Sequence, residues 1–486
     1  MQSAFSSRIH RKEQDMSDAV ETQVVVIGSG AGGAAVAGEL CRHRISTIIV
    51  EAGPQCTPLL GSHVRNLDPS EEGLLSYNDA LNRALTFPSG GSGSGTAFKD
   101  FKVIHAVGGM FSYWTCNCPT PHVAERAPWI SDSEWDCILG RARILLGVGY
   151  ALGDGSVRQQ RLIERVTTAV SRKEAGRQVQ PMPVAARREG EQIRFASIEN
   201  LLRVEDESNG PILYQDLICR QILHRSGRAT GISARSRLSG DDIPIHAEVV
   251  VIAAGVAGTP KLIAGSRIDA GPALGAYLFD HPAIGSRVVL HRDILADVAA
   301  DDPVFTVWIP YAEGQPWHNQ ICRFPTNPTA IEYAAGRNET ADICTFSSMN
   351  VVQANRFNFD LDSLDPFGLP ELIGTYALGA ADYERLAFGL SEHLLRAGAI
   401  GNLVDHRWAP TFFGAGWSTH LMGSCRMGPK DDGTSCVDTF GKLWGYDNIY
   451  VAGNAVFAVS NACNPTLMTV AMSLRCADAI IARLAQ

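Results

Sequence analysis

The chain has 486 residues, 45% hydrophobic and 19% charged, with a formal net charge of −9 at pH 7. This is ordinary globular composition, long enough for two domains with packed cores. The acidic balance argues against nucleic acid or an anionic membrane as partner, and no run of about 18 apolar residues suggests a transmembrane helix.

Residues 1–18 are polar and partly basic (Arg8, His10, Arg11, Lys12), with no apolar segment of the kind a secretory signal needs. A disordered tail over 1–19 and a cytoplasmic protein are the expectations. The 12 cysteines are scattered, with Cys116 and Cys118 the only close pair, so the spacing indicates buried reduced thiols and no metal site.

Residues 23–27 (QVVVI) read as a buried parallel strand. Gly28-Ser29-Gly30-Ala31-Gly32-Gly33 follows, then a small-residue helix over 34–42 and a second strand over 46–50 ending at Glu51. The glycine run fits GxGxxG in its proper strand–turn–helix setting. Gly28 permits the tight turn, Gly30 lets backbone approach a pyrophosphate, and Gly33 allows close packing of helix on sheet. A carboxylate at Glu51 is placed to accept from ribose hydroxyls.

Further on, residues 89–95 (SGGSGSG) read as a linker-like loop, natural or engineered. Residues 157–175 read as a surface helix, and 213–223 and 232–237 as strands. Residues 248–254 (EVVVIAA) form another buried strand, with Thr259-Pro260 as a helix start. Residues 287–413 are mixed, with strands over 304–309 and 345–352 and a helix over 383–397. Their Trp, Asn and Asp content suits carbohydrate stacking and hydrogen bonding.

The cradle alone does not separate FAD from NAD. Glu51 is followed by Ala52-Gly53-Pro54, which starts a loop and not a third nucleotide-binding unit. The strand over 248–254 returns to the same sheet much later. A flavin domain interrupted by a substrate domain accounts for that layout.

Four blocks carry a family resemblance: the cradle with Glu51; Val107-Gly108-Gly109-Met110 through Trp114-Thr115-Cys116; Phe279-Asp280-His281-Pro282; and a C-terminal stretch holding His420-Leu421-Met422-Gly423-Ser424-Cys425 and Cys463-Asn464-Pro465-Thr466. In these the sequence resembles the glucose-methanol-choline family of FAD-dependent alcohol oxidoreductases, above all its pyranose oxidase branch and bacterial glycoside-oxidising relatives. The resemblance implies an α/β fold: a Rossmann-like FAD-binding domain (20–130, 215–286 and 415–486) interrupted by an α+β substrate domain with an antiparallel sheet (131–214 and 287–414).

It also implies cofactor contacts at Gly28, Ser29, Gly30, Gly33, Glu51, Ala52, Gly108, Gly109, Cys116, Cys219, Ala254, Gly453, Asn454, Pro465 and Thr466. Pyranose 2-oxidases bond the flavin covalently through a histidine just before the Trp. Tyr113 stands there in this chain, which implies non-covalent FAD. At Gly453-Asn454 many family members have Asp-Ala, so a side-chain role for Asn454 does not carry over.

Alcohol oxidation removes a hydroxyl proton and a hydride from one carbinol group. The proton needs a base with a pKa near working pH, which suits histidine, and a neighbouring amide can fix the hydroxyl. The resemblance assigns these roles to His420 as base and Asn464 as partner. His281 reads as a loop lock beside Asp280, and nothing in the spacing of His105 or His122 gives them a role. The implied activity is oxidation of an alcohol on a sugar or glycoside, an aminoglycoside among the options, with oxygen or another acceptor taking the electrons. A redox-neutral flavin-bound lyase and an oxidase of a non-sugar alcohol are the alternatives.

Overall fold

The computed structural model describes residues 10–11, 20–66, 85–86, 98, 101–169, 177–190, 192–322, 339–403 and 410–486. The 89–95 loop and nearly all of the expected tail lie outside them.

The elements that position the site are, in chain order, β1 (Val20–Ile27), α1 (Ala31–Arg42), β2 (Thr47–Val50), α2 (Asp132–Leu146), α3 (Val157–Ala169), β3 (Ile212–Tyr214), β4 (Leu217–Arg225), β5 (Arg228–Ser236), β6 (Asp242–Ile252), α4 (Gly255–Gly265), β7 (Ala283–Leu290), β8 (Thr306–Ile309), β9 (Trp317–Cys322), β10 (Thr340–Ser347), α5 (Ala380–Ile400), β11 (Gly401–Leu403), β12 (Thr411–Phe413), β13 (Ile449–Val451) and α6 (Thr466–Leu484). They form two main sheets.

The first sheet runs β3-β2-β1-β6-β5-β4, with β13 on the other side of β6 and His10–Arg11 beside β3. β1, β2, β3 and β13 are parallel to the end of β6. β6 does two jobs. Its first half alternates exposed and buried residues and pairs antiparallel with β5; its second half, Val249 to Ile252, is fully buried between β1 and β13. Alternation suits a half-solvated antiparallel strand, and a continuous apolar run suits a parallel strand covered on both faces. The small residues of α1 let it lie close: a Cβ on Gly33 would sit 1.9 Å from Gly28 O, and one on Gly32 2.8 Å from Gly453 Cα.

The second sheet is antiparallel, in the order β11-β7-β10-β9-β8, with Gln180–Pro181 beside β8 and β12 beside β7. α5 covers it. The buried His393 ring bonds Ser286 Oγ (2.8 Å) and Thr345 Oγ1 (2.9 Å), and Val288, Ile321, Ile343 and Ala397 fill the layer between.

Several local boundaries differ from expectation. α4 begins at Gly255 and carries Pro260 inside it, so Thr259-Pro260 is not its start. The strand expected over 213–223 is two strands, broken where Asp216 adopts φ 55°. β10 ends at Ser347, five residues short of the expected 352. Residues 131–214 divide between the layers: α2 and β3 join the core of the first sheet, while α3 packs with the second. Among the described residues, no helix is long and apolar enough to cross a membrane.

Candidate active site

Three glycine segments converge at the N-terminus of α1. Ser29 Oγ accepts from Gly108 N (2.9 Å) and donates to Glu51 Oε2 (2.7 Å). Ser29 N also donates to Glu51 Oε2 (3.0 Å), and Gly53 N to Oε1 (2.9 Å). Glu51 therefore braces the cradle loop through Ser29. It is buried, and desolvation raises its pKa above the usual value. A Cβ on Gly30 would meet only Gly108 O, at 4.0 Å, and one on Gly453 (φ +92°) would meet nothing within 4 Å. Backbone at both points thus faces open space.

The first turn of α1 has no side-chain cap and no acidic residue. An uncapped helix N-terminus beside open glycine backbone is what a pyrophosphate requires. The residues present fit FAD. Gly109 stands beside Gly30, where a Cβ would lie 3.8 Å from Gly30 Cα, while Gly28 packs against the end of β6, where a Cβ would meet Ala253 O at 2.5 Å. Ala254 adjoins this packing, its Cα 3.3 Å from the place of a Cβ on Gly28. Thr466 opens α6, with Pro465 as its N-cap. Asn454 is tied down by its side chain, which accepts from Thr469 Oγ1 and donates to Leu421 O (3.5 Å). Ala52 O accepts from Arg237 (3.3 Å). The Cys116 and Cys219 side chains are buried in the core, where desolvation pushes both thiols up to about 12.

The catalytic candidates lie where the two sheets meet. Phe279 and Met422 form an antiparallel bridge, with N–O distances of 3.1 and 2.8 Å. Stepping two residues along each strand sets His281 opposite His420, because antiparallel partners face each other across the pair. Their Nδ1 atoms are 2.9 Å apart. Gly423 (φ +87°) allows the turn; a Cβ there would strike Tyr277 O at 2.4 Å. Asp280 does lock the loop: it accepts from His281 N (2.7 Å), Gly416 N (2.7 Å) and Ser418 Oγ, and Ser418 Oγ accepts from His420 N (3.2 Å). The expectation for His281 was too narrow, because its ring reaches both His420 and Asn461 Oδ1 (2.8 Å).

On the other side, Asn464 Nδ2 stands 3.3 Å from His420 Nε2. Its Oδ1 accepts from Gln320 Nε2. Gln320 Oε1 accepts from Asn117 Nδ2 (2.8 Å), and Gln320 Nε2 is 3.2 Å from His318 Nε2. Trp308 Nε1 donates to His318 Nδ1 (3.3 Å). Behind the loop, Glu125 Oε1 accepts from Ala462 N (2.5 Å) and Cys463 N (3.3 Å), and Oε2 from His122 N (2.7 Å). Glu125 thus holds the two residues between Asn461 and Asn464.

Burial lowers the pKa of all three histidines: His281 falls to about 4, and His318 and His420 lie well below their usual value, with the neighbouring rings adding repulsion. All three are neutral near pH 7. Asn461 Oδ1 takes the Nε2 proton of His281. His281 Nδ1 then accepts from His420 Nδ1–H, and the lone pair of His420 sits on Nε2, facing Asn464. A lone pair there is what a base uses to accept a proton.

Sequence reasoning missed His318, Gln320, Asn117 and Asn461. His318 and Gln320 stand two apart on β9, hence on one face of it, but a single strand does not say what that face meets. Trp308 and Trp317 are not stacking platforms. They are 6% and 4% exposed, with indole N–H groups spent on His318 and on Glu392 (2.7 Å).

Comparison with known proteins identifies the family. Residues 166–283 and 358–473 match the N-terminal and C-terminal models of the GMC oxidoreductases. A C-glycoside 3-oxidase of Microbacterium trichothecenolyticum is 28% identical, covering 96% of this chain and 98% of its own. A pyranose 2-oxidase of Tricholoma matsutake is 25% identical over 95% and 94%. The crystal structure of a pyridoxine 4-oxidase from "Mesorbium loti" superposes with a TM-score of 0.68 at 15% identity, covering 94% of this chain and 99% of that one, which speaks to the fold alone. One matched segment contains His281 and the other His420 and Asn464, while the relatives run the length of the chain: the protein belongs to the GMC oxidoreductase family, FAD enzymes that act on CH–OH groups.

Proposed function

We propose that the protein oxidises an alcohol carbon of a sugar or glycoside to a carbonyl. His420 is the base and Asn464 its orienting partner. The observation that carries this is the contact of His420 Nε2 with the Asn464 amide at 3.3 Å, on a ring that burial keeps neutral. When bound, FAD supplies the hydride acceptor. His420 Nε2 takes the hydroxyl proton, and the Asn464 amide holds the hydroxyl oxygen so that its C–H direction is fixed. His281 fixes the His420 tautomer, much as an orienting carboxylate does in other base pairs. FAD is assigned to the first sheet and its glycine groove, and substrate to the side facing the antiparallel sheet.

The glycoside reading is supported by the relatives, whose names are C-glycoside 3-oxidase and pyranose 2-oxidase. FAD is held without a covalent bond, because Tyr113 stands where a linking histidine would be needed. The electrons pass to oxygen or a separate acceptor. An anaerobic screen with sugars, glycosides and aminoglycosides tests the reading by bleaching of the flavin, followed by product identification. His420→Ala should slow flavin reduction by about 10²–10⁴. Normal reduction in that variant removes the mechanism, and turnover of a substrate without bleaching points to a lyase.

A further inference from the structure

The hydrogen bonds around His420 have a direction at each end, and the two ends disagree by one proton. At one end, Asn461 Nδ2 lies 3.4 Å from Met422 Sδ, which can only accept. Asn461 Oδ1 must therefore face His281 Nε2 (2.8 Å) and take its proton. This runs on to a neutral His420 with its lone pair on Nε2, which calls for a donor from Asn464.

At the other end, Trp308 Nε1 can only donate, and it points at His318 Nδ1 (3.3 Å). A neutral His318 then carries its proton on Nε2, where it meets the Gln320 amide nitrogen at 3.2 Å, donor against donor. The two ends of an amide are told apart only by such partners. Turning Gln320 over puts its oxygen there to accept. Asn117, whose Oδ1 is buried without a partner, turns with it, and its unpartnered atom becomes Nδ2. Asn464 must then turn as well, since its oxygen would face the oxygen of Gln320. Its Oδ1 now faces His420 Nε2 and requires a proton there.

With His420 neutral, one junction is mismatched however the amides are set. With His420 as imidazolium, every junction from Asn461 to Trp308 pairs a donor with an acceptor. We propose that Trp308, His318, Gln320 and Asn464 form a turnable hydrogen-bond relay, completed only when His420 gains a second proton, which helps His420 take the substrate's hydroxyl proton. The balance is simple: the hydroxyl O–H bond breaks, the proton goes to His420 Nε2, and the amides reverse. Trp308, His318 and Gln320 are positioning residues acting through Asn464. The groups facing His420 are His281 from the lead into β7, His318 from β9, Asp280 through Ser418, and the apolar Phe346 ring from β10; Arg177 acts on His318. The proposal rests on His420 being the base.

The test is ¹⁵N-histidine NMR of the oxidised FAD holoenzyme across pH, for the wild type and Trp308→Phe. The relay requires His318 to hold its proton on Nε2 in the wild type. Without the Trp308 donor, His318 can move that proton to Nδ1 and satisfy the neutral network, so the His420 midpoint should fall by about one pH unit, a tenfold loss of proton affinity. An unchanged or raised midpoint overturns the relay, as does an Nδ1–H tautomer of His318 in the wild type. That tautomer decides alone if the variant fails to fold or the midpoint lies below the folded range. An overturned relay together with lost flavin reduction in His420→Ala leaves the base reading standing. Normal reduction in His420→Ala ends the base reading, whatever the NMR shows.

Discussion

Replacing Glu125 by Gln should change the pH dependence of stability in a way no surface carboxylate could. Glu125 is 3% exposed, and burial raises its pKa from the usual 4.5 to about 7 despite bonds from Ala462, His122 and Cys463. The folded state thus binds a proton more tightly than the unfolded chain. A raised carboxylate contributes most below pH 4.5, and the contribution falls away as pH rises to about 7. At about 1.4 kcal/mol per unit, the swing is roughly 3 kcal/mol. A chain this long has an unfolding entropy near 1 kcal/mol/K, so the swing corresponds to about 3 °C in Tm.

Gln keeps one oxygen for the Ala462 and Cys463 N–H groups but turns an NH₂ toward His122 N–H. This costs a constant ~1–3 kcal/mol. The assay is thermal unfolding of the FAD holoenzyme at pH 4.5, 6 and 8, wild type against variant. The variant should be less stable at pH 4.5 and should recover about 3 °C relative to wild type by pH 8. A Tm difference that stays constant across this range would refute the claim that Glu125 is a high-pKa clamp.

Three further outcomes follow from the geometry. His281→Ala leaves the Nδ1–H of His420 without its acceptor and its tautomer unfixed, so stopped-flow flavin reduction should slow by about 10²-fold with little change in substrate affinity. Gly30→Ala and Gly33→Ala should separate: the first points into open groove, so the apoprotein keeps its Tm but binds FAD weakly; the second meets Gly28 O at 1.9 Å and should lower the apoprotein's stability by ~1–3 kcal/mol or more, read by thermal unfolding alongside FAD titration. Acid precipitation should release all the flavin into the supernatant, and yellow colour kept in the pellet would show a covalent link.

The cradle was legible in sequence because its requirements are local. A buried strand, glycines at the turn and a small-residue helix must be adjacent in the chain to make a phosphate site, so residues 23–51 announce themselves in order. His420 and Asn464 were legible only through their motif. The helix start at Gly255 was not, since Pro260 mimics a first-turn signal and only packing of the preceding residues shows the helix beginning earlier. The role of His281 was half visible: Asp280 next to it reads as a loop lock, but the ring contact depends on the bridge between Phe279 and Met422, which are far apart in the chain.

By itself, then, the sequence determined the nucleotide-binding strand–turn–helix and the alternation and runs that assign strands to exposed or buried sheets, and its family motif pointed to His420 as the proposed base. Only tertiary structure decided what surrounds that group. His318 and Gln320 arrive on a strand of the antiparallel sheet, Asn117 and Glu125 from the loops before α2, and Asn461 from the lead into α6. No periodicity encodes such a meeting, because hydrogen-bond polarity is a property of closed networks in space. The proton deficit at His420 becomes visible only when both ends, Met422 and Trp308, are in place.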